Sequence, residues 1–191
     1  GVLTESIVIT GSDQIDTNLL GIYYVQYSIT DSDDNTTTIE REVRVEDNTA
    51  PSITLTGSST ITIEAGNPYS ELGAVATDNY DNSVNVIIGG DTVDASTLGT
   101  YVVTYDASDA AGNAATQKTR TVVVEDTTAP VITLLGSQTV TIEVGNSYSD
   151  QGVTASDNYD NTVNVVIGGD AVDTSTLGTY IITYDASDVA G

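Results

Sequence analysis

Cysteine, histidine, methionine, tryptophan and phenylalanine are all absent from the 191 residues, and only four side chains are basic. Without thiolates or imidazoles there is no nucleophile of either kind, no usual zinc or haem ligand set, and no disulfide. An enzyme is therefore not expected. Four Lys and Arg against 28 Asp and Glu leave a formal net charge of -24, which excludes nucleic acid as a partner and disfavours an anionic membrane surface. No window nears the roughly 18 to 20 apolar residues of a membrane span, and the first residues lack a basic region followed by an apolar stretch. The segment is expected to carry neither a leader nor a membrane-inserting element of its own.

What the chain does hold is enough apolar material to fold. Hydrophobic residues make up 39% of the chain and mean hydropathy is -0.03. These values and the dispersal of charge along the chain separate it from solvated acidic tails. Cations and water are the natural partners of so many carboxylates.

Self-similarity organises the sequence. Residues 51–112 align without a gap onto 130–191, Pro51 falling on Pro130, with identity at roughly seven positions in ten. Each unit opens with APxITLxGSxT, passes through TDNYDN or SDNYDN, and reaches STLGTYxxTYDASDxAG. A more diverged copy lies upstream: IDTNLLG at Ile15 to Gly21 aligns with VDASTLG at Val93 to Gly99, and VEDNTAP with VEDTTAP. The expected domains are 1–47, the later part of one repeat; 48–126, a whole repeat; and 127–191, a repeat short of its last strand. A window onto a longer chain explains the cut repeats, and so does exchange of strands between neighbouring chains.

Within the whole repeat, short runs of Val, Ile, Thr and Tyr alternate with Gly, Asn, Asp and Ser. Strands are expected at residues 53–55, 60–63, 73–77, 84–88, 100–105 and 117–124. No apolar 3.6-residue period is long enough for a helix, so the fold class is all-β: tandem immunoglobulin-like antiparallel β-sandwiches. All three copies hold Gly-x-Tyr (Gly21 and Tyr23, Gly99 and Tyr101, Gly178 and Tyr180) where such sandwiches place a tyrosine corner. The alternative for each Tyr is an amphipathic strand residue.

On that topology the incoming linker, the DNYDN loop and the loop before the last strand share one pole. Glu46, Asp47, Asp78, Asp81, Asp106 and Asp109 converge at one junction. Glu125, Asp126, Asp157, Asp160, Asp185 and Asp188 converge at the next. Carboxylates in that number, interleaved with the amides of Asn79, Asn82, Asn113, Asn158 and Asn161, suit calcium, which takes six to eight oxygens at roughly 2.3 to 2.6 Å. The same residues also suit loop geometry, with solvent screening their charge. Glu64 and Glu143 fall near the opposite pole, where they either join the following junction or stand as exposed strand ends.

These motifs resemble the bacterial immunoglobulin-like tandem repeats related to a domain of pesticidal crystal proteins, and hyaline-repeat-like modules of large secreted bacterial proteins. The resemblance implies a β-sandwich used in tandem as a spacer in cell-surface or secreted proteins, often adhesins, without catalytic residues. VEDNTAP and DASDAAG also resemble, more loosely, the acidic linker and loop of cadherin junctions. That likeness implies calcium on Glu46, Asp47, Asp106 and Asp109 at one junction and on Glu125, Asp126, Asp185 and Asp188 at the other. The full Asp-x-Asn-Asp-Asn linker is missing, so ion number and ligands do not carry over.

The expected function is structural: an extracellular or cell-surface stalk or fibre, stiffened by calcium at its junctions, whose partners are neighbouring repeats of the same chain and, where a fibre forms, like chains. The competing expectation is a binding or self-assembling module, for carbohydrate, a cell surface or a filament subunit. Its aromatic candidates are Tyr24, Tyr80 and Tyr159. Covalent self-linking through lysine is disfavoured, since Lys118 is the only one.

Overall fold

The structure, a computed structural model, describes residues 6–189. Its elements in chain order are β1 (Val8–Thr10), a 3-10 turn (Ser12–Gln14), β2 (Gly21–Thr30), β3 (Thr36–Val45), β4 (Ser52–Leu55), β5 (Thr60–Glu64), β6 (Ala74–Thr77), β7 (Val86–Gly90), β8 (Gly99–Ala107), β9 (Lys118–Glu125), β10 (Val131–Leu134), β11 (Val153–Ser156), β12 (Asn164–Gly169) and β13 (Ile182–Ser187). Every strand expected in the whole repeat is present, within a few residues at each end. No α-helix occurs among the described residues, hence none able to cross a membrane.

Strands pair within repeats. In the first copy β1, β2 and β3 form a three-stranded antiparallel sheet, β2 and β3 meeting over ten residues from Gly21 opposite Val45 to Thr30 opposite Thr36. Asp31 closes their hairpin, its carboxylate accepting from the backbone of Asp33 and Asn35. The middle repeat has a two-stranded sheet, β4 with β6, and a four-stranded sheet in the order β5, β9, β8, β7. In the third copy β10 pairs with β11 and β12 with β13, both antiparallel.

One pair departs from the antiparallel rule. β5 runs parallel to β9, Thr60 opposite Thr121 through Glu64 opposite Glu125. The turn after β4, with Gly57 at φ 82°, carries the chain out of the β4–β6 sheet and into the other, where β5 takes the last strand's direction.

Two compact units emerge from the contacts. One holds the described residues up to Thr54 with Ala74–Ile87 and Tyr105–Lys118; the other holds Leu55–Gly73, Ile88–Thr104 and the described residues from Thr119 onward. The first contains the Asp78 and Asp109 loops of the middle repeat, the second its Glu64 end.

Burial alternates along the central strands. Val103, Tyr105 and Ala107 are buried on β8, and Arg120, Val122 and Val124 on β9, as expected of a sheet with one inward face. With Trp and Phe absent, tyrosine takes the place of the large core aromatic: Tyr105 is fully buried.

The tyrosine corner is present in all three copies. Tyr23 donates its hydroxyl to the Leu19 carbonyl at 2.9 Å, Tyr101 to Thr97 at 3.0 Å and Tyr180 to Thr176 at 3.2 Å, each four residues upstream. A second recurrent device is a glycine at the end of β7 and of β12. Gly90 and Gly169 have φ near +80°, and a Cβ there would lie 2.3 and 2.2 Å from the carbonyl oxygens of Val102 and Ile181. Only glycine fits. Gly11 repeats the geometry against Tyr24, so the first copy shares the motif despite its divergence.

Arg120 was not anticipated from sequence. Its side chain is fully buried, donating to the Glu71 carboxylate and to the carbonyls of Thr56 and Ser58, the last at 2.9 Å. Glu71 also accepts the Gly73 amide at 2.7 Å and the Tyr69 hydroxyl. Because removing one partner strands a buried charge, Arg120→Met is expected to cost about 3–5 kcal/mol in denaturant unfolding. Adding Glu71→Gln should recover part of that loss.

Candidate metal centre

Two groups of carboxylates form, each inside a single compact unit. Asp47, Asp78 and Asp109 bring one ligand oxygen apiece within 4.8 Å of one another, and Asp126, Asp157 and Asp160 do the same. Asp47 follows β3 in the VEDNTAP linker, Asp78 opens the DNYDN loop after β6, and Asp109 lies in the loop between β8 and β9. Asp126 and Asp157 are the counterparts of Asp47 and Asp78 one period on.

In Asp47, Asp78, Asp126 and Asp157 loop chemistry fixes one carboxylate oxygen and leaves the other without a donor, whereas both oxygens of Asp109 accept from Asn113. Asp47 uses Oδ1 for the Thr49 amide at 3.0 Å, and Asp126 uses Oδ1 for Thr128 at 3.3 Å. Asp78 accepts the amides of Tyr80 and Asp81 on Oδ2, and Asp157 those of Tyr159 and Asp160 on Oδ1. These Asx turns explain why DNYDN folds as it does. The remaining oxygens, Oδ2 of Asp47, Oδ1 of Asp78, Oδ2 of Asp126 and Oδ2 of Asp157, are buried and accept no hydrogen bond from the described residues. Asp47 and Asp126 as whole residues are only 9% and 8% exposed.

Turn formation does not require that second set. A buried, charged, unpartnered oxygen is costly, and the closeness of like-charged carboxylates within each group adds repulsion. A hard cation bound among these oxygens would remove both penalties at once.

The other predicted ligands take different positions. Asp81 and Asp160 brace the loops, accepting the Ala110 amide at 2.7 Å and the Val189 amide at 2.8 Å; Asp160 also belongs to the second group. Asp106 is half-buried and holds the Gln117 amide at 2.9 Å. Glu46, Glu125 and Asp185 are exposed and lie outside both groups. Asp188 is half-buried, outside the second group, and close enough to Asp126 to raise its pKa.

Two residues named in the sequence reading take roles that it did not assign. Asn113 ties the Asp109 loop to the linker, donating its amide to Asp109 Oδ2 at 2.8 Å and to the Asp47 carbonyl at 3.1 Å. Glu64 is not a bare strand end: it accepts from the Thr127 amide and hydroxyl, the Thr128 hydroxyl and the Asn158 amide, all at 2.6–3.2 Å.

Electrostatics sharpen the contrast. Burial, the nearby Glu64 and the like charges of Asp157 and Asp188 push Asp126 upward. Asp157 is held low by the amides of Asp160 and Tyr159. At Asp109 burial pulls upward but is outweighed by Asn113 and neighbouring amides, so the carboxyl stays low. Hydroxyls of Thr127 and Thr128 bring Glu64 down to about 2.

Immunoglobulin-like repeats with tyrosine corners and acidic loops at one pole define the class of protein. The chain belongs to the family described as bacterial surface protein, Ig-like domain, whose profile matches residues 1–45, 53–124 and 132–191. It is similar to an uncharacterized 81.3 kDa protein of Acholeplasma phage L2, at 32% identity over 205 residues. It is similar also to the pesticidal crystal protein Cry22Aa of Bacillus thuringiensis, at 27% over 210 residues. All of this chain aligns in both cases, yet it spans only 27% of either relative's length. Among solved structures, a lipoprotein of Bacteroides thetaiotaomicron aligns over 61% of this chain and 55% of its own, with 27% identity and a TM-score of 0.33.

Two outcomes follow for the metal-free chain. Glu64 titrates near 2 when folded against an ordinary 4.5, so its stabilisation is complete above about pH 4.5 and is lost as pH falls through about 2. The melting-point deficit of Glu64→Gln should therefore be constant at neutral pH and vanish in strong acid. Asp126 has the opposite sign: its raised pKa makes the charge a penalty at neutral pH that acid relieves. In chelator at pH 7, Asp126→Asn should melt higher than the parent, and the two should converge in acid.

Proposed function

We propose that this segment is a spacer of a bacterial surface or secreted protein, a stalk or fibre whose junctions are stiffened by calcium. The observation that carries the reading is the pair of buried, unpartnered carboxylate oxygens in each acidic group, recurring one repeat apart. Asp47, Asp78 and Asp109 hold one ion; Asp126, Asp157 and Asp160 hold the other. Loop carbonyls and water complete the six to eight oxygens calcium takes.

Membership of the surface-protein family supports an extracellular setting, where free calcium is abundant enough to fill modest sites. In the linker a bound ion ties the residue after the last strand of one repeat to loops of the next, converting a short tether into a fixed joint. Near-identity of the second and third repeats favours a mechanical part used repeatedly over a single specialised site. No catalytic role belongs to this reading.

Calcium at about a hundred times its Kd adds about 2.7 kcal/mol per site. Thermal melting and protease digestion are therefore expected to show a gain of several degrees and greater resistance with calcium, reversed by chelator. Asp47→Asn and Asp126→Asn should each remove one site's share, so Asp126→Asn, the more stable form in chelator, becomes the less stable in calcium. An unchanged midpoint with and without calcium would overturn the proposal.

A further inference from the structure

Glu64 stands where the two segments that carry the second acidic group meet. It ends β5 opposite Glu125 on β9, and the next amide, that of the buried Ala65, donates to the Glu125 carbonyl at 2.9 Å. The backbone that presents Glu64 is thereby fixed to the strand that runs directly into Asp126.

From that anchor the carboxylate grips the residue next to each of two proposed ligands. Its two oxygens accept the Thr127 amide at 3.2 and 3.1 Å, and Oε2 accepts the Thr127 hydroxyl at 2.6 Å. Oε1 accepts the Thr128 hydroxyl at 2.8 Å and the Asn158 side-chain amide at 3.0 Å. Thr127 follows Asp126 in the linker, and Asn158 follows Asp157 in the DNYDN loop. One side chain therefore bridges two segments that lie 63 and 94 positions away from it. The bonds that Asp126 and Asp157 make through Oδ1 reach only two or three residues onward, and do not join linker to loop.

What this grip aligns is a pair of donorless oxygens. Asp126 is 8% exposed, and its Oδ2 and that of Asp157 are buried and accept no hydrogen bond from the described residues. Asp126, Asp157 and Asp160 each bring an oxygen within 4.8 Å of the others, a span that one ion with bonds of roughly 2.3 to 2.6 Å can bridge. Both oxygens of Glu64, by contrast, already hold N–H and O–H donors. Loops ordered before the ion arrives bind it more tightly, because the ordering is not drawn from the binding energy.

We propose that Glu64 is the positioning residue of the second acidic group: without ligating the ion, it holds Asp126 and Asp157 at the separation that calcium bridges. The strand end of one repeat thereby sets the cation affinity of the group that opens the next. This assignment rests on the calcium reading above. The first group has a brace of another kind, Asn113 on the Asp47 carbonyl, and so serves as a control within the same chain.

The experiment is a calcium titration of the full chain followed by amide NMR, Thr49 and Tyr80 reporting the first group and Thr128 and Tyr159 the second. Glu64→Ala is expected to weaken the second group at least about tenfold and to leave the first within about twofold. Glu64→Gln, which removes the charge but keeps one acceptor oxygen, should weaken it less. Terbium luminescence lifetimes in light and heavy water, taken with Asp47→Asn to silence the first group, should count the same number of bound waters with and without Glu64→Ala. An unchanged second affinity overturns the proposal, as does equal weakening of both groups, which marks a general loss of folding. Equal losses for Glu64→Ala and Glu64→Gln overturn it in favour of charge alone, and extra bound water overturns it by making Glu64 a ligand. Absence of calcium binding at both groups of the parent overturns the calcium reading and this assignment together, whereas binding that ignores Glu64 overturns this assignment only.

Discussion

Like charge held at close range is the constraint around which these repeats are arranged. Acidic groups with buried, donorless oxygens recur at a fixed interval in a chain with four cationic side chains, of which Arg120 is committed to the core. Little in the protein can therefore neutralise them. Everything local to the clusters acts to hold the carboxylates in place despite repulsion: Asx turns in DNYDN, the Asn113 bridge to the linker, and Glu64 clasping Thr127, Thr128 and Asn158. These hydrogen bonds fix the geometry in which the carboxylates meet.

Much of this was legible in the sequence because repetition amplifies weak signals. One Gly-x-Tyr is a common tripeptide; three, each ahead of a Val/Ile/Thr run, point to a corner, and all three hydroxyls reach the carbonyl four residues back. Which acidic residues gather was only partly readable. Alternation along the strand ends places Glu46 and Glu125 outward while Asp47 and Asp126 turn in, and that depends on where each strand stops, to a single residue. Asn113 was visible as a loop residue, but its reach to Asp47 across 66 positions belongs to the tertiary fold.

Arg120 shows a different limit. It shares strand parity with Val122 and Val124, so the pattern TRTVVVE already put it on the inward face. A charged residue in such a run reads as an exception until its partner is known, and Glu71 lies 49 positions away. The third repeat keeps an acid at that position, as Asp150, and Tyr184 engages it there.

The parallel pairing of β5 with β9 bears on how the repeat responds to load. β5 lies near the beginning of the middle repeat and β9 is its last strand, with five residues in register from Thr60 and Thr121 to Glu64 and Glu125. Tension drawn through the two ends of the repeat acts on these strands in opposite senses along their common axis. Their slanted, evenly spaced hydrogen bonds then share the force in shear instead of opening one after another like a zip. The departure from antiparallel pairing thereby gives the repeat a clamp against being pulled apart lengthwise.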